Sequence, residues 1–166
     1  MRTLHNIDLK NNESGFTLRW QDRLILSHTA DAPCLWIGAG EADIEMFRGN
    51  FSIKDKLNEK IALTNATVTQ QSAGWAIRFT RGDAVSATLL VGVDAEGRLE
   101  LKLKNDAASH NRIWLRLAAQ PDDHIYGCGE QFSYFDLRGK PFPLWTSEQG
   151  VGRNKQTYVT WQADCK

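Results

Sequence analysis

Hydrophobic side chains recur at every second residue through most of this chain. Phe16, Leu18 and Trp20 alternate with Thr17 and Arg19, and the pattern resumes at Leu24 and Leu26 after Gln21-Asp22. Trp75, Ile77 and Phe79 alternate with Ala76 and Arg78, between Ser72-Ala73-Gly74 and Arg81-Gly82-Asp83. Leu99, Leu101 and Leu103 alternate with Glu100 and Lys102, and Ile113, Leu115 and Leu117 with Trp114 and Arg116. A strand turns successive side chains to opposite faces, so each run predicts a sheet with one apolar and one polar face. Asp94-Ala95-Glu96-Gly97, set between Val93 and Arg98, predicts a hairpin. Short strands at this spacing, with few helical stretches, predict an all-β sandwich or barrel. One stretch is ambiguous: Ile53, Leu57 and Ile61 are spaced by four, so residues 53–63 also fit a helix.

Composition narrows the partners. A chain of 166 residues is long enough for one domain with one core. Its 20 basic and 20 acidic side chains cancel, which removes the field that would draw nucleic acid. No apolar run approaches the ~20 residues a membrane helix needs. The N-terminus lacks the apolar stretch of a secretory signal, and Cys34, Cys128 and Cys165 are odd in number and scattered. Free thiols in a reducing compartment, the cytoplasm, are therefore expected.

From Pro121 onward the chain becomes rich in proline, glycine and aromatics, the composition of binding loops on a rigid sheet. Gly38-Ala39-Gly40 lacks the third glycine of a dinucleotide-binding turn and predicts a plain β-turn. His124 and Cys128 are four apart, a ligand spacing for a helix but about 13 Å along a strand, so no metal is expected, nor any cofactor. His5, His28 and His110 are isolated and read as surface or core histidines. Asp122, Asp123, Glu130, Asp136 and Glu148 are the carboxylates of the loop-rich third. Asp122-Asp123 fits a turn, whereas Glu130 is the strongest single candidate for a role, its plainer reading being a carboxylate that anchors loop amides. Trp20, Trp36, Trp75 and Trp114 are expected in the core, with Trp145 and Trp161 in the loop-rich end.

Tyr126-Gly-Cys-Gly-Glu-Gln-Phe132, followed by Leu137-Arg-Gly-Lys140, resembles the signature closing the N-terminal β-sandwich of glycoside hydrolase family 31. Met46-Phe-Arg-Gly-Asn-Phe-Ser-Ile-Lys-Asp-Lys56, Asn111-Arg-Ile-Trp-Leu-Arg-Leu117 and Leu144-Trp-Thr-Ser-Glu-Gln-Gly-Val-Gly-Arg153 are similar to its sulfosugar branch. The likeness runs from about Phe16 to Lys166, closest over 33–63 and 111–166. It implies a sandwich of the galactose-mutarotase-like type, expected to be incomplete at its C-terminal end. Residues 1–166 would be the N-terminal domain of a longer retaining α-glycosidase, with residues 53–63 as strand and turn. The family's two catalytic aspartates lie on a (β/α)₈ barrel that this chain lacks, so no catalytic residue is carried over. Where many members have an Asn-x-Asp sequence, this chain has Thr146-Ser147-Glu148-Gln149, which favours the sulfosugar branch.

The resemblance implies as partners an α-sulfoquinovoside or related α-glycoside and the protein's own barrel, with neither nucleic acid nor membrane. Glu148, Gln149 and Arg153 form the candidate substrate-binding set, since they supply an acceptor, an amide and a guanidinium beside Gly150 and Gly152. The plainer reading is that Glu148 pairs with Arg153 to hold sandwich to barrel. Two other functions remain open: a stand-alone carbohydrate-binding module, or a mutarotase-like epimerase with Glu130 as base and His124 as acid.

Overall fold

The computed structural model describes residues 6–47, 50–82, 85–126, 135–143 and 162–164. Among them every regular element is a strand, as the alternation predicts. The strands are β1 (Ile7–Asn12), β2 (Gly15–Trp20), β3 (Arg23–Thr29), β4 (Leu35–Phe47), β5 (Asn50–Ala62) and β6 (Asn65–Gln71). They continue with β7 (Gly74–Arg81), β8 (Val85–Val93), β9 (Leu99–Asn105), β10 (Arg112–Leu115), β11 (Pro141–Pro143) and β12 (Gln162–Asp164). Residues 53–62, ambiguous by period, are strand. The sheets run β1-β2-β3, β10-β4-β5, β6-β7-β8-β9 and β11-β12.

Two compact units divide the chain: Met1–Gly40 with Leu57–Ala119, and Glu41–Lys56 with Gln120–Lys166. The first holds the core. Phe16 and Leu18 of β2, Leu26 of β3, Leu35 and Ile37 of β4, Ile77 and Phe79 of β7, and Leu89 of β8 are all buried in one cluster. Full burial of each such side chain is worth about 1.5–3 kcal/mol. Leu99, Leu101 and Leu103 pack against the cluster from β9, as their spacing predicts. Turn chemistry sets the registers. Gln21 and Asp22 both take positive φ, 49° and 65°, forming the two-residue loop that matches strand twist between β2 and β3. At the β8–β9 hairpin, Asp94 Oδ1 accepts N–H bonds from Glu96 and Arg98, and Gly97 takes φ 82°.

His28 follows Leu26 on the inward row of β3, where a bulge in the β2–β3 register sets Ile25 rather than the expected Leu24 against the core. It faces Phe16 across the register and is 1% exposed. Its ring stacks on Phe16 at 5.5 Å and meets the edge of Phe79 at 5.2 Å. Both ring nitrogens are engaged. Nδ1 accepts the Cys34 N–H at 3.3 Å and Nε2–H donates to the Thr64 carbonyl at 3.2 Å, which fixes the neutral Nε2–H tautomer. Burial holds the imidazole below its ordinary pKa of 6.5, with the Thr64 bond opposing. Burial also pushes the Cys34 thiol up to about 11, so the adjacent Cys–His pair is structural rather than nucleophilic.

Two sequence expectations fail on the β10-β4-β5 sheet, for one reason. Gly38-Ala39-Gly40 is extended strand within β4, not a turn. Trp36 and Trp114, expected in the core, are cross-strand partners on the sheet face opposite Leu35 and Ile37. Lys60 Nζ stands 4.5 Å from the Trp114 ring and 5.6 Å from Trp36, and Arg116 lies 4.7 Å from Trp36. The cations cover the indoles that the core does not. Gly38 makes room: a Cβ there would fall 2.4 Å from the Glu59 carbonyl oxygen and 2.9 Å from the Trp114 ring. Trp20 and Trp75 do pack against the core. Beside the glycines, the Asn111 side chain extends the ladder as a peptide group would, accepting the Gly40 N–H at 3.1 Å and donating to its carbonyl at 2.9 Å. Leu117 is exposed because regular pairing of β10 ends at Leu115, whereas Ile113 shares the face of its partner Ile37 yet stays 41% exposed.

Candidate functional site

Segments 120–126 and 135–140 of the second unit are tied into a clasp by groups that local sequence chemistry places at turns. Asp123 closes the first turn: its N–H donates to the Gln120 carbonyl at 3.1 Å, while its Oδ2 accepts the Gln120 N–H at 2.7 Å. This is the turn role expected for Asp122-Asp123. Asp136 occupies the centre. Its Oδ1 accepts the N–H groups of Ile125 and Arg138, both at 3.0 Å, and its Oδ2 accepts His124 Nδ1–H at 2.6 Å. The His124 bond first, then the two backbone donors, lower the Asp136 carboxyl to a pKa of about 2. Arg138 donates to the Asp123 carbonyl at 2.9 Å and to the Gln120 carbonyl. Leu137 N–H reaches the Ile125 carbonyl at 2.8 Å, and the Leu137 side chain is buried.

Three rings flank the clasp. His124 and Tyr126 lie 6.1 Å apart with planes 22° from parallel, and Tyr126 and Phe135 lie 5.1 Å apart at 56°. Chemically, Asp136 orients the imidazole and keeps it from rotating, the arrangement by which a carboxylate prepares a histidine for hydrogen bonding. Asp123 and Asp136 each spend acceptor oxygens on backbone amides, which makes them loop anchors rather than a catalytic pair.

Of the sequence candidates, His124 and Asp136 are brought together. Glu130, Glu148, Gln149 and Arg153 lie outside the described residues, as do Cys128, Cys165, Trp145 and Trp161. The pairing of His124 with Asp136 and the bridging by Arg138 are absent from the sequence reading. Their signal was faint: twelve positions separate histidine from carboxylate, and nothing periodic links them. No cluster of three metal-ligating side chains occurs among the described residues.

The family profile for the glycosyl hydrolase 31 N-terminal galactose mutarotase-like domain matches residues 9–161. The chain belongs to that family. It is 75% identical over 163 residues to the sulfoquinovosidase of Escherichia coli strain K12, covering 98% of this chain and 24% of that protein. It is 41% identical over 162 residues to the sulfoquinovosidase of Agrobacterium fabrum, covering 93% of this chain and 22% of that protein. Among solved structures, a GH31 family sulfoquinovosidase from E. rectale, in complex with the aza-sugar inhibitor IFGSQ, matches with TM-score 0.69 and 38% identity. That match covers 93% of this chain and 22% of the other. The chain thus spans about a quarter of the length of these glycoside hydrolase 31 relatives and corresponds to their N-terminal domain.

Proposed function

We propose that this chain is the N-terminal β-sandwich of a cytoplasmic retaining α-glycosidase that hydrolyses α-sulfoquinovosides. The observation that supports the reading is the 75% identity, over 98% of the chain, to the sulfoquinovosidase of Escherichia coli. The domain supports the catalytic barrel and contributes loop residues to the substrate pocket, while nucleophile and general acid belong to the barrel. The chemistry of the chain agrees with a supporting role. The carboxylates Asp123 and Asp136 are committed to backbone donors, and a retaining glycosidase needs two carboxyl groups about 5–5.5 Å apart, free to act on the glycosidic bond.

The test compares the whole protein with the 166-residue chain on aryl α-sulfoquinovoside and aryl α-glucoside. The whole protein is expected to turn over the sulfonated substrate with the higher kcat/KM, and the 166-residue chain to turn over neither. Equal kcat/KM on the two substrates would sink the substrate assignment. Turnover that follows the 166-residue chain through purification would sink the supporting role.

A further inference from the structure

Around the clasp of the second unit an apolar surface meets a fixed polar group. Phe135 is 88% exposed, Tyr126 56%, and the His124 side chain 61%. Solvated aromatic rings in mutual contact present a continuous apolar patch, which on a protein surface marks a place where something binds. Here the Tyr126 and Phe135 rings are tilted by 56°, so the patch has two facets meeting at a corner rather than one flat face. Its polar edge is held rigid. His124 Nδ1–H is committed to Asp136 Oδ2, and Nε2 has no partner among the described residues. Asp136 cannot swing away to another donor, because Ile125 and Arg138 hold its other oxygen.

We propose that His124, Tyr126 and Phe135 form a saccharide-binding corner, with Asp136 as its positioning residue. A pyranose ring has C–H bonds on its faces and hydroxyls on its rim. Tilted aromatic rings accept the first, and an oriented imidazole nitrogen bonds one of the second. An anionic group fits less well, since the Asp136 carboxylate backs the imidazole. The corner deepens the glycosidase reading if the pyranose is the leaving group of the substrate. It stands apart from that reading if the pyranose belongs to a separate carbohydrate.

The experiment uses the whole protein carrying Phe135→Ala, Tyr126→Ala, His124→Ala, Asp136→Asn, the His124→Ala/Asp136→Asn pair, and Leu90→Ala as an exposed apolar control. KM is measured on a sulfoquinovoside whose leaving group is a pyranose, and retention is measured on immobilised neutral glucan by affinity electrophoresis. A leaving-group site predicts that Phe135→Ala and Tyr126→Ala raise KM about three- to tenfold at unchanged melting temperature. A separate carbohydrate site predicts unchanged KM and retention weakened by a similar factor. Leu90→Ala should move neither. Because Asp136 acts through His124, adding Asp136→Asn to His124→Ala should change KM or retention no further, and additive losses would remove its positioning role. The corner is overturned if the two ring variants leave KM and retention at wild-type values, or if only their melting temperatures fall. A protein inactive on every sulfoquinovoside defeats the proposed substrate, and glucan retention then decides the corner by itself. Neither turnover nor retention in the wild type defeats both.

Discussion

His28 places an ionisable ring where water and charge are both excluded. Its Nδ1 accepts a backbone N–H, so protonation there would set two hydrogens against each other and break the Cys34 bond. The folded pKa is depressed by burial, so the unfolded chain takes up the proton first as pH falls. Stability from this group is therefore complete above the ordinary value of 6.5 and is lost as pH falls through the folded pKa. The neighbouring thiol does not confuse the effect, since Cys34 titrates near 11. Melting temperature measured from pH 7.5 down to 5 should decline, and His28→Phe should flatten that decline. The variant should also be less stable at pH 7.5, because the Cys34 N–H and Thr64 carbonyl lose their partner at about 1–3 kcal/mol each. A slope unchanged in His28→Phe would assign the acid sensitivity to other groups.

At the scale of the element, β4 reconciles two demands that its sequence does not display together. One face must bury Leu35 and Ile37, and the other must let a tryptophan from β10 lie across the backbone. Glycine at 38 satisfies the second at the cost of intrinsic strand propensity, and Trp114 restores the missing contact surface. Gly38→Ala forces either β5 or Trp114 to move. It should cost about 1–3 kcal/mol, the range of an overpacked site, and should disturb the indole environment. Thermal unfolding followed by tryptophan fluorescence measures both. A variant with wild-type melting and emission would show that the sheet tolerates the methyl group and that the close approach is not needed. The same element explains why Gly-Ala-Gly was legible only as punctuation: a glycine that admits a neighbouring strand's side chain looks, in sequence, like one that turns the chain.

For the whole molecule, the supporting role makes a prediction about residues 145–153. Glu148, Gln149 and Arg153 carry the polar groups that orient a sugar, close to two glycines that permit near approach. In the whole protein, Gln149→Ala is expected to raise KM for an aryl α-sulfoquinovoside about tenfold, the loss of one or two hydrogen bonds, at unchanged melting temperature. If Gln149→Ala and Arg153→Ala lower the melting temperature and leave kinetic constants alone, the loop only joins sandwich to barrel. The saccharide corner and this loop are separable, because each has variants that do not touch the other.

The sequence by itself determined the all-β class, the rows of Phe16 and Leu18, Ile77 and Phe79, and Leu99 to Leu103, and the Asp94–Gly97 hairpin. Alternation and turn residues are local signals, and a strand expresses them wherever it is placed. The strings from Tyr126 to Arg153 also carried the family. Tertiary structure alone decided which tryptophans meet the core and which meet cations, since a half-buried sheet face accepts an indole on either side. It decided that Gly38-Ala39-Gly40 runs straight, because the reason for Gly38 stands on β5 and β10. It also decided that His124 meets Asp136, a contact made only when two segments twelve residues apart close on each other. No periodicity records such a closure.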